Sequence, residues 1–200
     1  MSIAKQYAVS PAVQAMSAYQ AGKPIEDLAR EFDLDPNKII KLASNENPLG
    51  YSDKVHKALH GFLDGSERQA LGRYPDANGF ALKQALSEHY GVASDWITLG
   101  NGSNDLLELV SLALLNEHTS CVYSQYAFVV YRLSTQARGA RHIQVPAKNY
   151  GHDLDAMFEA IAEDTRLVFI ANPNNPTGTF HSGQAIEDFV ARVFEKYGLN

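Results

Sequence analysis

LVFIANPNNPTG, residues 167–178, is the stretch that decides the fold. It opens with Leu, Val, Phe and Ile in succession, and its last seven residues hold two prolines and three asparagines. A strand apolar on both faces belongs in a sheet covered on both sides. A turn that follows such a strand lies at the C-terminal edge of the sheet, where open α/β proteins bind their ligands. Prolines fix φ and stiffen the turn. Asn174 and Asn175 then stand on a rigid frame as amide donors, suited to an oxyanion or a phenolate.

On either side of this stretch the chain alternates short apolar runs with helical periodicity. RHIQVP (141–146), TSCVYS (119–124) and WITLG (96–100) read as strands. Between and after them, residues 106–115, 127–138, 153–162 and 183–197 read as helices, with Asp153 as an N-cap. Strands alternating with helices predict βαβ units, an α/β fold and a mainly parallel sheet. Further upstream, Leu82, Ala85, Leu86 and Tyr90 mark an amphipathic helix closed by Gly91, and residues 52–63 mark another. Val13, Met16 and Tyr19, then Ile25, Leu28, Ala29 and Phe32, make two short apolar faces separated by Gly22 and Pro24. Such segments read as an N-terminal arm lying on something else. The βαβ rhythm calls for another strand after the final helix, so the architecture reads as interrupted.

Composition sets the class. Of 200 residues, 45% are hydrophobic and 20% charged, as in ordinary globular proteins. The net charge of −6 argues against nucleic acid as the main partner, because phosphate backbones demand a surplus of Lys and Arg. No apolar run reaches the ~20 residues of a membrane span, and no secretory h-region opens the chain. The single cysteine, Cys121, lies in a strand-like run and reads as a buried small hydrophobe rather than a nucleophile. A reducing, cytoplasmic setting is the expectation. No metal-ligand spacing is evident.

Three further stretches carry chemistry. LGNGSND, residues 99–105, joins a strand to a helix. Its glycines permit a sharp turn, and a helix start at Gly102, Ser103 and Asn104 suits an anion such as a phosphate. A plain helix cap is the equal alternative. SQYAFVVY, residues 124–131, places Tyr126 where a strand gives way to a helix, as a platform for a planar ring or as a packing residue. GRYPDANG, residues 72–79, by itself reads as a polar loop.

Taken in order, LASNENPLG, RYPDANG, GNGSND, a sheet-edge tyrosine and NPNNPTG resemble the histidinol-phosphate aminotransferase group of the fold type I pyridoxal-phosphate aminotransferases. The segment AYQAGKPIEDLAR, residues 18–30, is similar to the arm of that group, and the resemblance is tightest over residues 17–180. It implies an N-terminal arm with part of a small domain over residues 1–50. It also implies an incomplete, pyridoxal-phosphate-binding large domain over residues 51–200. It implies pyridoxal 5'-phosphate as cofactor. Gly102, Ser103 and Asn104 would hold the cofactor phosphate, Tyr126 would stack on its ring, and Asn175 would bond its ring hydroxyl oxygen. Tyr74 would reach the cofactor phosphate of a partner subunit in a homodimer, and Tyr19 and Asn47 would line the substrate side. The implied reaction converts L-histidinol phosphate and 2-oxoglutarate to imidazole acetol phosphate and L-glutamate, in histidine biosynthesis.

The Schiff-base lysine of that chemistry has no match here. Lys148 and Lys196 read as solvated charges, and no catalytic residue is assigned within these 200 positions. The chain is therefore expected to be the N-terminal half of an enzyme. Alone it is expected to be inactive, with an apolar sheet edge that aggregates. Two other readings stay open: an aromatic aminotransferase or phospho-amino-acid decarboxylase of the same fold, and a non-catalytic pyridoxal-phosphate-binding module.

Overall fold

A computed structural model describes residues 9–18, 22–65 and 71–198. The chain divides into a sheet unit, residues 1–18 with 99–200, and a second unit, Tyr19–Thr98. The helices, in chain order, are α1 (Pro11–Gln14), α2 (Ile25–Phe32), α3 (Asp53–Asp64), α4 (Phe80–Tyr90), α5 (Ser103–Leu114), α6 (Val129–Ala137), α7 (Leu154–Ala160) and α8 (Gly183–Tyr197). The strands are β1 (Ser120–Ser124), β2 (Arg141–Val145) and β3 (Thr165–Phe169).

All strand pairings are parallel, and the order is β2-β1-β3. This order has a consequence for layering. The step from β1 to β2 runs one way across the sheet, and the step from β2 to β3 runs back past β1. Right-handed crossovers in opposite directions put their helices on opposite faces. Two cores result. On one face Cys121, Tyr123, Tyr131 and Phe169 pack with Leu107 and Val110 of α5. On the other Val122, Val145, Met157, Ile161 and Phe189 pack between the sheet, α7 and α8. Neighbouring β1 residues point to opposite faces, so Cys121 and Tyr123 serve one core and Val122 the other. All five β1 residues are buried, as a strand covered on both sides requires.

Side chains seal these layers. Tyr131 stacks on Phe169 with centroids 4.3 Å apart and planes 8° from parallel. Ser111 of α5 donates to Ser134 of α6 at 3.1 Å, and both are fully buried. Asp153 caps α7 through Ala156 N–H at 3.1 Å, as its position before the helix predicts. Cys121 is wholly buried, and desolvation pushes its thiol up to about 11. It is a packing residue, as its surroundings in sequence suggest.

The second unit consists of helices with good local signals. Ser52 caps α3 through Val55 N–H. Asp76 accepts from the N–H of Phe80 and of Asn78 and so starts α4, while Gly91 closes it in the left-handed conformation. The Phe80 bond, then the Asn78 bond, hold the Asp76 carboxyl below its ordinary range.

Three expectations about elements need correction. WITLG is not a strand: Ser94–Trp96 form a 3₁₀ turn, Ile97 is extended, and no residue of the stretch enters the ladder. Extended backbone becomes a strand only when a neighbour takes its hydrogen bonds, and none of the described strands pairs with this stretch. The face of Val13 and Met16 yields a single turn, because the chain leaves the helix after Gln14; Tyr19 lies outside the described residues. β3 begins at Thr165 and ends before Ile170, and its Leu167 and Val168 are half-buried rather than buried, since β3 is an edge of this sheet. No helix among the described residues is long and apolar enough to cross a membrane. Nor does any group of three or more His, Cys, Asp or Glu among them form a metal-binding set.

Candidate functional site

Topology places the site before any side chain is considered. β1 and β3 are neighbours. The chain leaves β1 toward α6 on one face and leaves β3 toward α8 on the other. Adjacent strands whose connections diverge leave a crevice at their carboxyl ends, the usual ligand position in such sheets. Gln125–Phe128 and Ile170–Ser182 are the two loops that border it.

The first loop turns sharply. Gln125 N–H still bonds Val145 O at 2.7 Å, continuing the sheet, and Tyr126 then adopts φ 58. A positive φ in a tyrosine is uncommon and marks a site where the surroundings hold the backbone. What holds it is the second loop. Asn174 is buried, and its amide donates to Tyr126 O at 3.2 Å and to Thr177 Oγ1 at 2.7 Å. Its own N–H bonds Thr179 O, and its carbonyl accepts from Gly178 N–H. Thr179 Oγ1 donates to Tyr150 O. The Tyr126 ring, half-exposed, lies 5.6 Å from the Tyr150 ring at a 35° tilt.

The three asparagines of the loop therefore divide their work. Asn172 pairs reciprocally with the backbone of His181, donating at 3.0 Å and accepting at 2.8 Å. Asn174 ties the loop to the turn after β1. Asn175, the next residue, is exposed. The sequence offered Asn174 and Asn175 as equivalent donors. Asn174 is instead a structural tie, because its amide is already occupied at both hydrogens, whereas Asn175 is exposed.

Gly102, Ser103 and Asn104 form a helix start, as expected: Gly102 is the N-cap of α5 at φ 86. That cap residue has no side chain to bond the first N–H groups, so they remain open to an anion. Asp105 turns inward and accepts from Asn101 N–H at 2.9 Å, which closes the turn. A Cβ at Gly100 would sit 3.1 Å from the side chains of Asp105 and Leu106, a tight contact that these side chains would have to relieve. The bonds at this start are local, and those described do not join it to the Asn-Pro loop.

The remaining candidates belong to the second unit. Tyr74 is fully exposed in its loop. Asn47 forms an Asx turn, accepting from Leu49 N–H and donating to Gly50 O at 2.7 Å. Of the lysines described in the sheet unit, Lys148 is exposed beside the cleft at His152, and Lys196 is exposed with its ammonium 4.5 Å from the Phe158 ring centroid. Two residues at the site edge were missed by sequence reasoning, His152 and His181. Nothing in their local pattern marks them, since they meet only through the fold.

Comparison with known proteins points to one family. The model of the family "Aminotransferase class I and II" matches residues 37–199. Histidinol-phosphate aminotransferase 1 of Cupriavidus pinatubonensis is 59% identical over 181 residues, covering 90% of this chain and 47% of that protein. Histidinol-phosphate aminotransferase 2 of Ralstonia nicotianae is 54% identical over 181 residues, with the same coverage. Among solved structures, histidinol-phosphate aminotransferase from Sinorhizobium meliloti, in complex with pyridoxal-5'-phosphate, superposes with a TM-score of 0.80 at 23% identity. That match covers 93% of this chain and 48% of that one, and it speaks for the fold. The chain thus spans about half the length of the curated relatives it matches. With a family match over most of its length, and the Asn-Pro loop set at a switch point of a parallel sheet, the chain belongs to the class I and II aminotransferases.

Proposed function

We propose that this chain supplies cofactor-binding residues to a pyridoxal-phosphate-dependent aminotransferase. The enzyme exchanges the amine of L-histidinol phosphate with 2-oxoglutarate, as a cytoplasmic homodimer. The observation that carries the cofactor is the edge of the sheet unit. There Asn174 locks two loops together and leaves the Tyr126 ring and the Asn175 amide exposed. The names of relatives at 52–59% identity support the substrate.

The residues fit the group. A dianionic phosphate suits the open N–H groups and dipole at the start of α5, with the Ser103 hydroxyl as a further donor. A planar pyridine suits the Tyr126 face. A ring phenolate suits a neutral amide on a stiff loop, which is Asn175. When bound, pyridoxal phosphate supplies an electron sink next to the reacting carbon. The residues of this chain orient the ring and stabilise charge on it. Tyr74 is assigned to the cofactor phosphate of the partner subunit, and Tyr19 and Asn47 to the substrate side. Residues 1–50 are assigned to an arm with part of a small domain and residues 51–200 to part of the large domain.

The test is an exchange assay on the full-length protein with pyridoxal phosphate, L-histidinol phosphate and 2-oxoglutarate, read as glutamate formed. Asn175→Ala is expected to lower kcat by about tenfold, the equivalent of one charge-assisted hydrogen bond. Absence of glutamate with every amine donor tried would sink the reading. Faster turnover with an aromatic amino acid than with histidinol phosphate would move it to an aromatic aminotransferase.

A further inference from the structure

Next to the crevice, on the α7 side, two histidines close a ring of hydrogen bonds around the stems of the Asn-Pro loop. His152 Nε2 bonds Ala171 O at 2.9 Å, at the point where β3 gives way to the loop. His181 Nε2 bonds His152 O at 3.0 Å. The backbone of His181 is held in turn by Asn172 through two bonds. The rings lie nearly parallel, 14° apart, with centroids 6.3 Å apart. The ring of bonds thus runs from the residue before α7, through the start of the loop, to its end.

The partners settle the tautomers. Both imidazoles meet carbonyl oxygens, which only accept, so each Nε2 carries a hydrogen. His152 is 4% exposed, and its Nδ1 is buried with no partner. A second proton there would need an acceptor, and the nearby carboxylates are engaged. Asp153 caps α7, Asp155 pairs with Arg192 at 2.6 Å, and Asp188 accepts from Gln184. Lys148, Arg192 and these three carboxylates line the same cleft of about 300 Å³. Burial lowers the affinity of His152 for that proton, the Ala171 carbonyl works against this, and His181 adds to it.

We propose that His152 is a positioning residue for the Asn-Pro loop: as a neutral Nε2–H imidazole it holds the Ala171 carbonyl and, with His181 and Asn172, sets where Asn175 presents its amide. The role of Asn175 rests on the cofactor reading above, whereas the clamp does not.

The test uses the full-length protein as wild type, His152→Phe and His152→Gln, since a glutamine amide can still donate to Ala171 O. In His152→Phe the amides of Asn174 and Gly178 are expected to exchange with deuterium about tenfold faster, with Val122 unchanged, and His152→Gln is expected to restore most of the protection. With pyridoxal phosphate added, the pH midpoint of the bound cofactor's absorbance is expected to rise by about half to one unit in His152→Phe and to return in His152→Gln. Unchanged loop exchange in His152→Phe, or identical behaviour of the two variants, overturns the proposal. If His152→Phe does not fold, nitrogen-15 histidine spectra of the wild type decide. A neutral Nε2–H ring at neutral pH supports the clamp, and an Nδ1–H ring or an imidazolium overturns it. If no absorbance change follows addition of the cofactor to wild type while loop exchange behaves as expected, the cofactor reading fails and the clamp stands.

Discussion

The two units of this chain use the same local grammar and reach different ends. α3 and α4 in the second unit have a serine cap, a carboxylate cap and a glycine stop as good as any in the sheet unit. Yet neither helix has a buried residue. Leu59 is 54% exposed, Leu82 54% and Trp96 82%. In the sheet unit Met157 and Val122 are wholly buried, and the apolar residues fall into two cores divided by the sheet. Caps and periodicity make helices; only burial of the apolar face makes a core. In the second unit that face is drawn in the sequence but not covered within the unit.

This contrast can be broken by mutation. Met157→Ala is expected to cost about 2–5 kcal/mol, because the cavity cannot collapse between sheet and helix. Denaturant unfolding checks it, and a cost below about 1 kcal/mol would mean that the core is loose. Cys121 is a reporter on the same unit. Its buried, neutral thiol is expected to resist a thiol reagent in the native protein and to react on unfolding, faster in Met157→Ala. Next in size is the cap of α7: Asp153→Ala is expected to lose about 1 kcal/mol in the same experiment. Leu82→Ala is expected to cost less than about 0.5 kcal/mol in this chain. A cost near that of Met157→Ala would show that the second unit is covered after all, and would erase the contrast.

A pH titration sharpens the comparison further. The folded-state affinity of His152 for a proton is below its ordinary value, so the unfolded chain binds that proton more readily. The stability tied to the neutral ring is fully present above its unfolded pKa of about 6.5 and is lost as pH falls toward the depressed folded value. The denaturant midpoint of the sheet unit is expected to drop across that window, and less so in His152→Gln. An identical pH profile in the variant would show that another group dominates.

Much of the candidate site was legible beforehand because its signals are local. Asn-Pro-Asn-Asn-Pro is a stiff turn wherever it occurs, and Gly102 before Ser103 is a helix start within a few residues. The division of labour among the asparagines was not legible. Asn174 and Asn175 are adjacent and chemically identical, and only the approach of Tyr126, 48 residues away in sequence, buries one and leaves the other outside. His152 and His181 were missed for the same reason: the bonds linking them to Ala171 and to each other cross 19 and 29 residues.

By itself the sequence determined where most of the helices lie, the Asp153 and Gly91 caps, the three strands that pair, the burial of Cys121 and the family. These depend on neighbours within a turn or two, or on motifs kept in order. Tertiary structure alone decided that β1 lies between β2 and β3, that two cores flank it, and that WITLG stays unpaired. Parallel pairing joins residues far apart in the chain. A strand's apolar run states that it will be buried, but the partner that takes its hydrogen bonds is chosen by the whole fold.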